Sequence, residues 1–295
     1  MRGVRVGIVI LPEHRWQTAR SKWRAAEEYG FAHAWTYDHL GWRTLLDGPW
    51  FDAVPTLTAA ALVTERIRLG TFVASPHFRH PVVLARSVLT LDDVSGGRFV
   101  LGAGAGTLEG YDNVVLGSPE LPARARVDRF AEFLELTDAL LTRERTDYAG
   151  TYYTAVQARS APGCVQRPRV PFLVAANGPR SMRLAARFGQ GWVVTGNPHG
   201  DDREAWWRAV AERAARFDEI LAAQGRDRAS VDRFVSVDSS GSYSLASVAA
   251  FEEAAGRAAE LGFTDLVVHW PRPDGVFAGS VSVLERVATE VLPTL

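Results

Sequence analysis

The chain has 295 residues, enough for a sizeable core in two average domains or in one large barrel. Hydrophobic residues make up 47% and charged residues 23%, with a formal net charge of −1, so neither nucleic acid nor an anionic membrane is an expected partner. Cys164 is the only cysteine, which excludes an intramolecular disulfide and a cysteine-based metal site.

The N-terminal run MRGVRVGIVILPEH is too short and too valine-rich for a signal peptide. It reads as a first strand, Val4 to Ile10, closed by Pro12. No apolar run approaches the length of a membrane span, so a cytoplasmic protein is expected. Trp16, Ala19, Trp23 and Ala26 recur at helical spacing, and Gly30 stops that helix. Ala32 to Tyr37 is a second strand, followed by Asp38 and His39. Asp52 is placed to cap a helix carrying Leu57, Ala60 and Ala61. Ile67 to Val73 is a third strand. Pro81 then opens a helix that Gly96-Gly97 ends, and Arg98 to Leu101 is a fourth strand running into Gly102-Ala-Gly-Ala-Gly106.

A loop-like stretch at 107–122 precedes a long helix from Ala123 to Leu141. TDYAGTYYTAVQAR predicts a small hairpin turning at Ala149-Gly150. Val170 to Ala175 and Gly191 to Thr195 are the fifth and sixth strands, with a helix at 179–188 between them. Trp206, Val210, Phe217 and Leu221 mark the next helix, and Val231 to Val237 a seventh strand. A helix over Val248 to Ala258, a strand over Asp265 to His269 and a helix over Val283 to Val291 complete the pattern. Eight β-then-α units without a linker predict an α/β fold: one (β/α)8 TIM barrel spanning 1–295, with insertions after strand 4 and before strand 5.

In such a barrel the chemistry belongs to the loops after the strands. Those ends carry His14, Asp38-His39 with Trp42, Phe72 to His77, Gly102 to Glu109, Ala175 to Pro179, Thr195 to Asn197, Asp238, and His269-Trp270. The glycine run is no dinucleotide fingerprint, because a breaker-rich loop follows it instead of a helix. It reads either as a tight turn at a strand end or, at Gly104 and Gly106, as clearance for a flat ring.

Ala176, Asn177 and Gly178 precede a helix opening at Pro179. That is either an anion site at a helix N-terminus or an ordinary cap at Asn177. His39 is either a proton donor and acceptor or a structural histidine. His77 and His80 lack a neighbouring carboxylate, so no metal site is expected. Strand 4 offers only Glu109 past its end, too little for a glycosidase pair.

Taken together, Trp35 to Leu40, Arg68 to Thr71, Phe78 to Pro81, Leu91-Asp92, Ser95 to Arg98, Gly102 to Gly106 and Phe172 to Pro179 resemble the luciferase-like oxidoreductases. These are barrel enzymes that use FMN or the deazaflavin coenzyme F420. The resemblance implies a cis peptide at Phe72-Val73 pressing on the central ring of the cofactor. It places the cofactor phosphate at Ala175, Ala176, Asn177 and Gly178, the ring beside Asp38, Gly104, Gly106 and Thr107, and His39 on the substrate side.

Within the family the nearest pattern is that of the F420-dependent glucose-6-phosphate dehydrogenases. That pattern has a catalytic glutamate where this chain has Thr107, with Glu109 two residues on, and a phosphate-binding lysine where it has Asn197. A substrate less polar than a sugar phosphate is therefore expected, against Trp42, Phe78 and Trp270. The implied activity is hydride transfer between coenzyme F420 and a small organic substrate, with His39 and Glu109 as catalytic residues. The alternatives are an FMN-dependent monooxygenase and a cofactor-free ligand-binding barrel without activity. A homodimer is implied by analogy alone.

Overall fold

The computed structural model of the chain describes residues 3–107, 110–196 and 202–295. Eight strands close into an all-parallel barrel: β1 (Arg5–Val9), β2 (His33–Thr36), β3 (Arg68–Thr71), β4 (Phe99–Gly104), β7 (Phe172–Ala175), β8 (Gly191–Val194), β9 (Asp232–Ser236) and β10 (Asp265–His269). Among the described residues two further strands, β5 (Arg145–Ala149) and β6 (Thr154–Arg159), form an antiparallel hairpin outside it, where the Ala149-Gly150 turn predicts one. The helices that follow the barrel strands are α1 (Trp16–Glu28), α2 (Ala53–Ala61), α3 (Pro81–Val94), α4 (Tyr111–Val115), α5 (Ala123–Thr142), α6 (Pro179–Phe188), α7 (Arg203–Ala223), α8 (Val248–Glu260) and α9 (Val281–Arg286). Among the described residues no helix is long and apolar enough to cross a membrane.

The barrel is built by side-chain alternation. Val9, Trp35, Val100, Leu173, Val193, Phe234 and Val267 point inward and fill its centre. Their neighbours Ile8, Ala34, Leu101, Val174, Val194, Val235 and Val268 point outward and pack under the helices. The outer layer is dense: the Trp192 and Phe217 rings stack with centroids 4.3 Å apart.

Helix starts follow the expected caps. Asp52 accepts from the Val54 N–H at 2.8 Å, and Pro81 occupies the first turn of α3 behind a capping His80.

Two local expectations change. β4 runs on through Gly102 to Gly104, so these glycines are strand and not loop. The stretch 107–122 contains the short helix α4, which its glycines and prolines conceal in the sequence.

Candidate active site

At the C-terminal ends of the barrel strands lies a cavity of about 620 Å³, within the range of small-molecule sites. Tyr37 and His39 after β2, Phe72 and Val73 after β3, Thr107 after β4, Ala175 and Asn177 at β7, Thr195 after β8, Asp238 after β9 and His269 at β10 all line it. Trp42, Tyr243 and Phe277 close it from the loops. A second cavity of about 230 Å³ lies at the opposite barrel end, around Arg5, His33 and Asp265, away from these loops.

His39 is held at the rim by a carboxylate. Asp112 Oδ2 lies 2.7 Å from His39 Nδ1, and Oδ1 accepts the Leu40 N–H at 2.7 Å. Asp112 is buried on α4, while a quarter of the His39 side chain is exposed. The Trp50 indole N–H donates to the His39 carbonyl at 2.8 Å, which fixes the backbone beneath the imidazole. Binding through Nδ1 leaves Nε2 as the ring nitrogen free to meet a ligand. Asp112 is one of the residues that sequence reading missed, with the wall residues Tyr37, Tyr243 and Phe277. Glu109, the carboxylate expected to act here, lies outside the described residues, as does Asn197.

The peptide between Phe72 and Val73 is cis, and both residues line the cavity, as the resemblance implies. Asp38 behaves differently from expectation. Its buried carboxylate accepts three hydrogen bonds from Arg79, the shortest 2.6 Å, and is absent from the cavity wall. Burial pushes the Asp38 carboxyl upward, and the Arg79 hydrogen bonds and charge oppose that. The side chain is thus spent on pinning the β2 and β3 loops together.

The glycine run also has a different physical reason. A Cβ on Gly104 would stand 2.8 Å from Val73 Cγ2. One on Gly106, whose φ is +75°, would overlap the His77 imidazole. These glycines admit the loop after β3; neither lines the cavity, whereas Thr107 does.

The β7 loop divides in the same way. Ala175 and Asn177 face the cavity, while Ala176 is buried in the wall and its carbonyl accepts the Trp192 indole N–H. Asn177 bridges to Thr195, donating from Nδ2 at 2.8 Å and accepting the Thr195 N–H at 3.1 Å. It therefore does not cap α6. Gly178 does, with no side-chain bond to the helix N-terminus, which leaves the first N–H groups of α6 without a side-chain partner next to Asn177.

Trp42 is a wall residue, edge-on to Tyr37 at 5.2 Å and stacked on Phe277 at 6.2 Å. Trp270 is not. It turns outward and packs on Tyr29 and Lys22 of the α1 side. Phe78 lies beneath the Arg79 guanidinium, 4.6 Å away, and is also off the wall.

His77 bonds Asn113 through Nδ1, and His80 caps α3 by accepting the Val82 N–H at Nδ1. Among the described residues no three His, Cys, Asp or Glu side chains are grouped to hold a metal ion.

A profile of the luciferase-like monooxygenase family matches residues 4–255. The chain is 34% identical over 324 aligned positions to an F420-dependent glucose-6-phosphate dehydrogenase of Beutenbergia cavernae, covering 92% of this chain and 90% of that one. Its fold matches the coenzyme F420-dependent tetrahydromethanopterin reductase of Methanopyrus kandleri with a TM-score of 0.75 at 21% identity, over 99% of both chains. It matches equally the FMN complex of the oxygenating component of 3,6-diketocamphane monooxygenase from Pseudomonas putida, with a TM-score of 0.75 at 18% identity, again over 99% of both. The profile spans most of the chain and the full set of rim loops up to β10, and the chain belongs to the luciferase-like monooxygenase family.

Proposed function

We propose that this protein is an oxidoreductase that moves hydride between coenzyme F420 and a small organic substrate held in the rim cavity. One observation carries the reading. A single cavity is lined by His39, an imidazole oriented by a buried carboxylate, and by Asn177, which directly precedes an α6 N-terminus that has no side-chain cap. The helix N-terminus suits the phosphorylated arm of a flavin-like cofactor and the imidazole suits proton transfer. Gly178 and Asn177 would hold the arm, and Val73, Ala175 and Val193 would back the ring. When bound, the deazaflavin supplies the hydride chemistry; the protein supplies orientation and a proton-handling group. Similarity to an F420-dependent dehydrogenase along nearly the whole of both chains supports F420 as the cofactor.

The substrate is less polar than a sugar phosphate. Among the described residues Arg43 is the one arginine or lysine on the cavity wall, and it is stacked on Trp42. Trp42, Val276 and Phe277 give that side an apolar surface. A cytoplasmic setting, expected because no apolar run of the sequence has the length of a membrane span, and a homodimer, expected from family analogy alone, complete the reading.

The test is turnover. A panel of small alcohols, carbonyl compounds and enones is offered with oxidised or reduced F420, and the deazaflavin absorbance is followed. At least one pair gives F420-linked turnover. Oxygen consumption with reduced FMN and no F420-linked turnover would replace this reading by the monooxygenase that the FMN-bound neighbour's fold accommodates.

A further inference from the structure

A second buried carboxylate–imidazole pair faces the same cavity from across the barrel. His269 is the last residue of β10, and Asp238 stands two residues beyond β9. Asp238 Oδ2 accepts the His269 backbone N–H at 2.7 Å and lies 2.9 Å from Nδ1; Oδ1 accepts the Ser244 N–H at 2.8 Å. An ionised carboxylate is acceptor-only, so Nδ1 carries the imidazole proton and Nε2 is left as an acceptor. The Tyr37 hydroxyl lies 2.8 Å from Nε2 and donates to it. Phe277 stacks on the imidazole with centroids 3.8 Å apart, and the Tyr243 hydroxyl donates to the His269 carbonyl at 2.8 Å. The ring is fixed on every side.

We propose that Tyr37, His269 and Asp238 form a proton relay for the substrate oxygen, which makes the substrate an alcohol or the corresponding carbonyl compound. The inference rests on the F420-linked reading above. In the oxidative direction the alcohol O–H bond breaks and its proton goes to Tyr37 Oη. The Tyr37 proton goes to His269 Nε2, and the resulting imidazolium is balanced by Asp238. The C–H bond breaks with its electron pair, which leaves as hydride to the deazaflavin. The alcohol is oxidised to a carbonyl and the coenzyme is reduced.

Tyr37 would touch substrate; His269 and Asp238 position it and hold the proton. The relay is separate from His39. Tyr37 meets His39 only edge-on, at 6.1 Å, with no hydrogen bond between them. Tyr37 is 8% exposed and His269 2%, so a proton held there is shielded from bulk water, unlike one on His39. The charged and titratable groups around the relay are Asp238, His39, Arg43 and Tyr243.

The test compares wild type with Tyr37→Phe, His269→Gln and Asp238→Asn. Nitrogen-15 NMR of the histidine side chains in the cofactor-free protein gives the Nδ1-protonated tautomer for His269. Its Nε2 resonance moves toward that of an unbonded ring nitrogen in Tyr37→Phe. With the most active alcohol of the panel, kcat falls about 100-fold in Tyr37→Phe and in the same direction in the other two. F420 affinity stays within about twofold. Placing 3,5-difluorotyrosine at position 37 by amber suppression shifts the kcat–pH profile to lower pH, which a merely structural tyrosine would not do.

An Nε2-protonated His269, or wild-type kcat in Tyr37→Phe or His269→Gln, overturns the relay. Absence of any F420-linked turnover in wild type overturns the functional reading instead, and the NMR result then decides the relay alone.

Discussion

Asp112 reaches His39 across 73 positions of sequence, with its Oδ2 2.7 Å from Nδ1 and its Oδ1 accepting the neighbouring Leu40 N–H. One carboxylate therefore fixes both the ring and the backbone of the rim histidine. Replacing Asp112 by Asn keeps the size but removes the charge and lets the imidazole adopt either tautomer. F420-linked kcat is expected to fall about 10- to 100-fold, with F420 affinity little changed. His39→Ala removes the group itself and costs about 100-fold or more. Steady-state kinetics together with a cofactor titration of each variant check this.

Asn177 ties the β7 loop to Thr195 by two hydrogen bonds. At about 1 kcal/mol each, their loss in Asn177→Ala leaves the loop before α6 unanchored. Affinity for F420 should weaken about 10-fold while kcat at saturation holds, because the loop grips the cofactor and takes no part in proton transfer. A fluorescence titration reads the change.

Gly106 has a φ of +75° and its missing Cβ is the space His77 occupies. Gly106→Ala strains the backbone and displaces the imidazole. Stability should fall by about 2 kcal/mol or more, measured by urea unfolding. The loss should appear in the cofactor-free protein, since the close approach is internal to the protein.

At the opposite end of the barrel, Asp265 is buried and accepts from Arg5, His33 and Thr264. Burial alone would raise its carboxyl, but those hydrogen bonds and charges hold it below the ordinary carboxylate value. The folded state therefore releases the proton more readily than the unfolded chain. The resulting stabilisation is complete above the unfolded value of about 4 and disappears as pH falls through the lower folded value. Asp265→Asn should cost about 3 kcal/mol at pH 7, the low end for a buried pair because Arg5 is half-exposed. The gap between variant and wild type should close below pH 4 in thermal melts.

The barrel was legible because its strands are apolar on both faces and end at Gly, Pro or Asp, so eight β-then-α units can be counted from residues alone. Trp270 shows where that reading stopped short: alternation along β10 sends His269 inward and therefore Trp270 outward. Asp238 and His269 were visible as strand ends, but only adjacency of β9 and β10 in the sheet brings them together. Asp112 and Arg79 carry no local signal. Each acts on a residue tens of positions away, and α4 is too short and too flanked by breakers to read as a helix. The glycine run was conspicuous for a reason found only in three dimensions, the approach of Val73 and His77.

The central claim is that the rim cavity takes a deazaflavin. Titration of the purified protein with oxidised F420 and, separately, with FMN tests it most directly. The account predicts a saturable spectral change with F420, weakened about 10-fold by Asn177→Ala, and at least 10-fold poorer binding of FMN. Tight binding of FMN with no binding of F420 would contradict it.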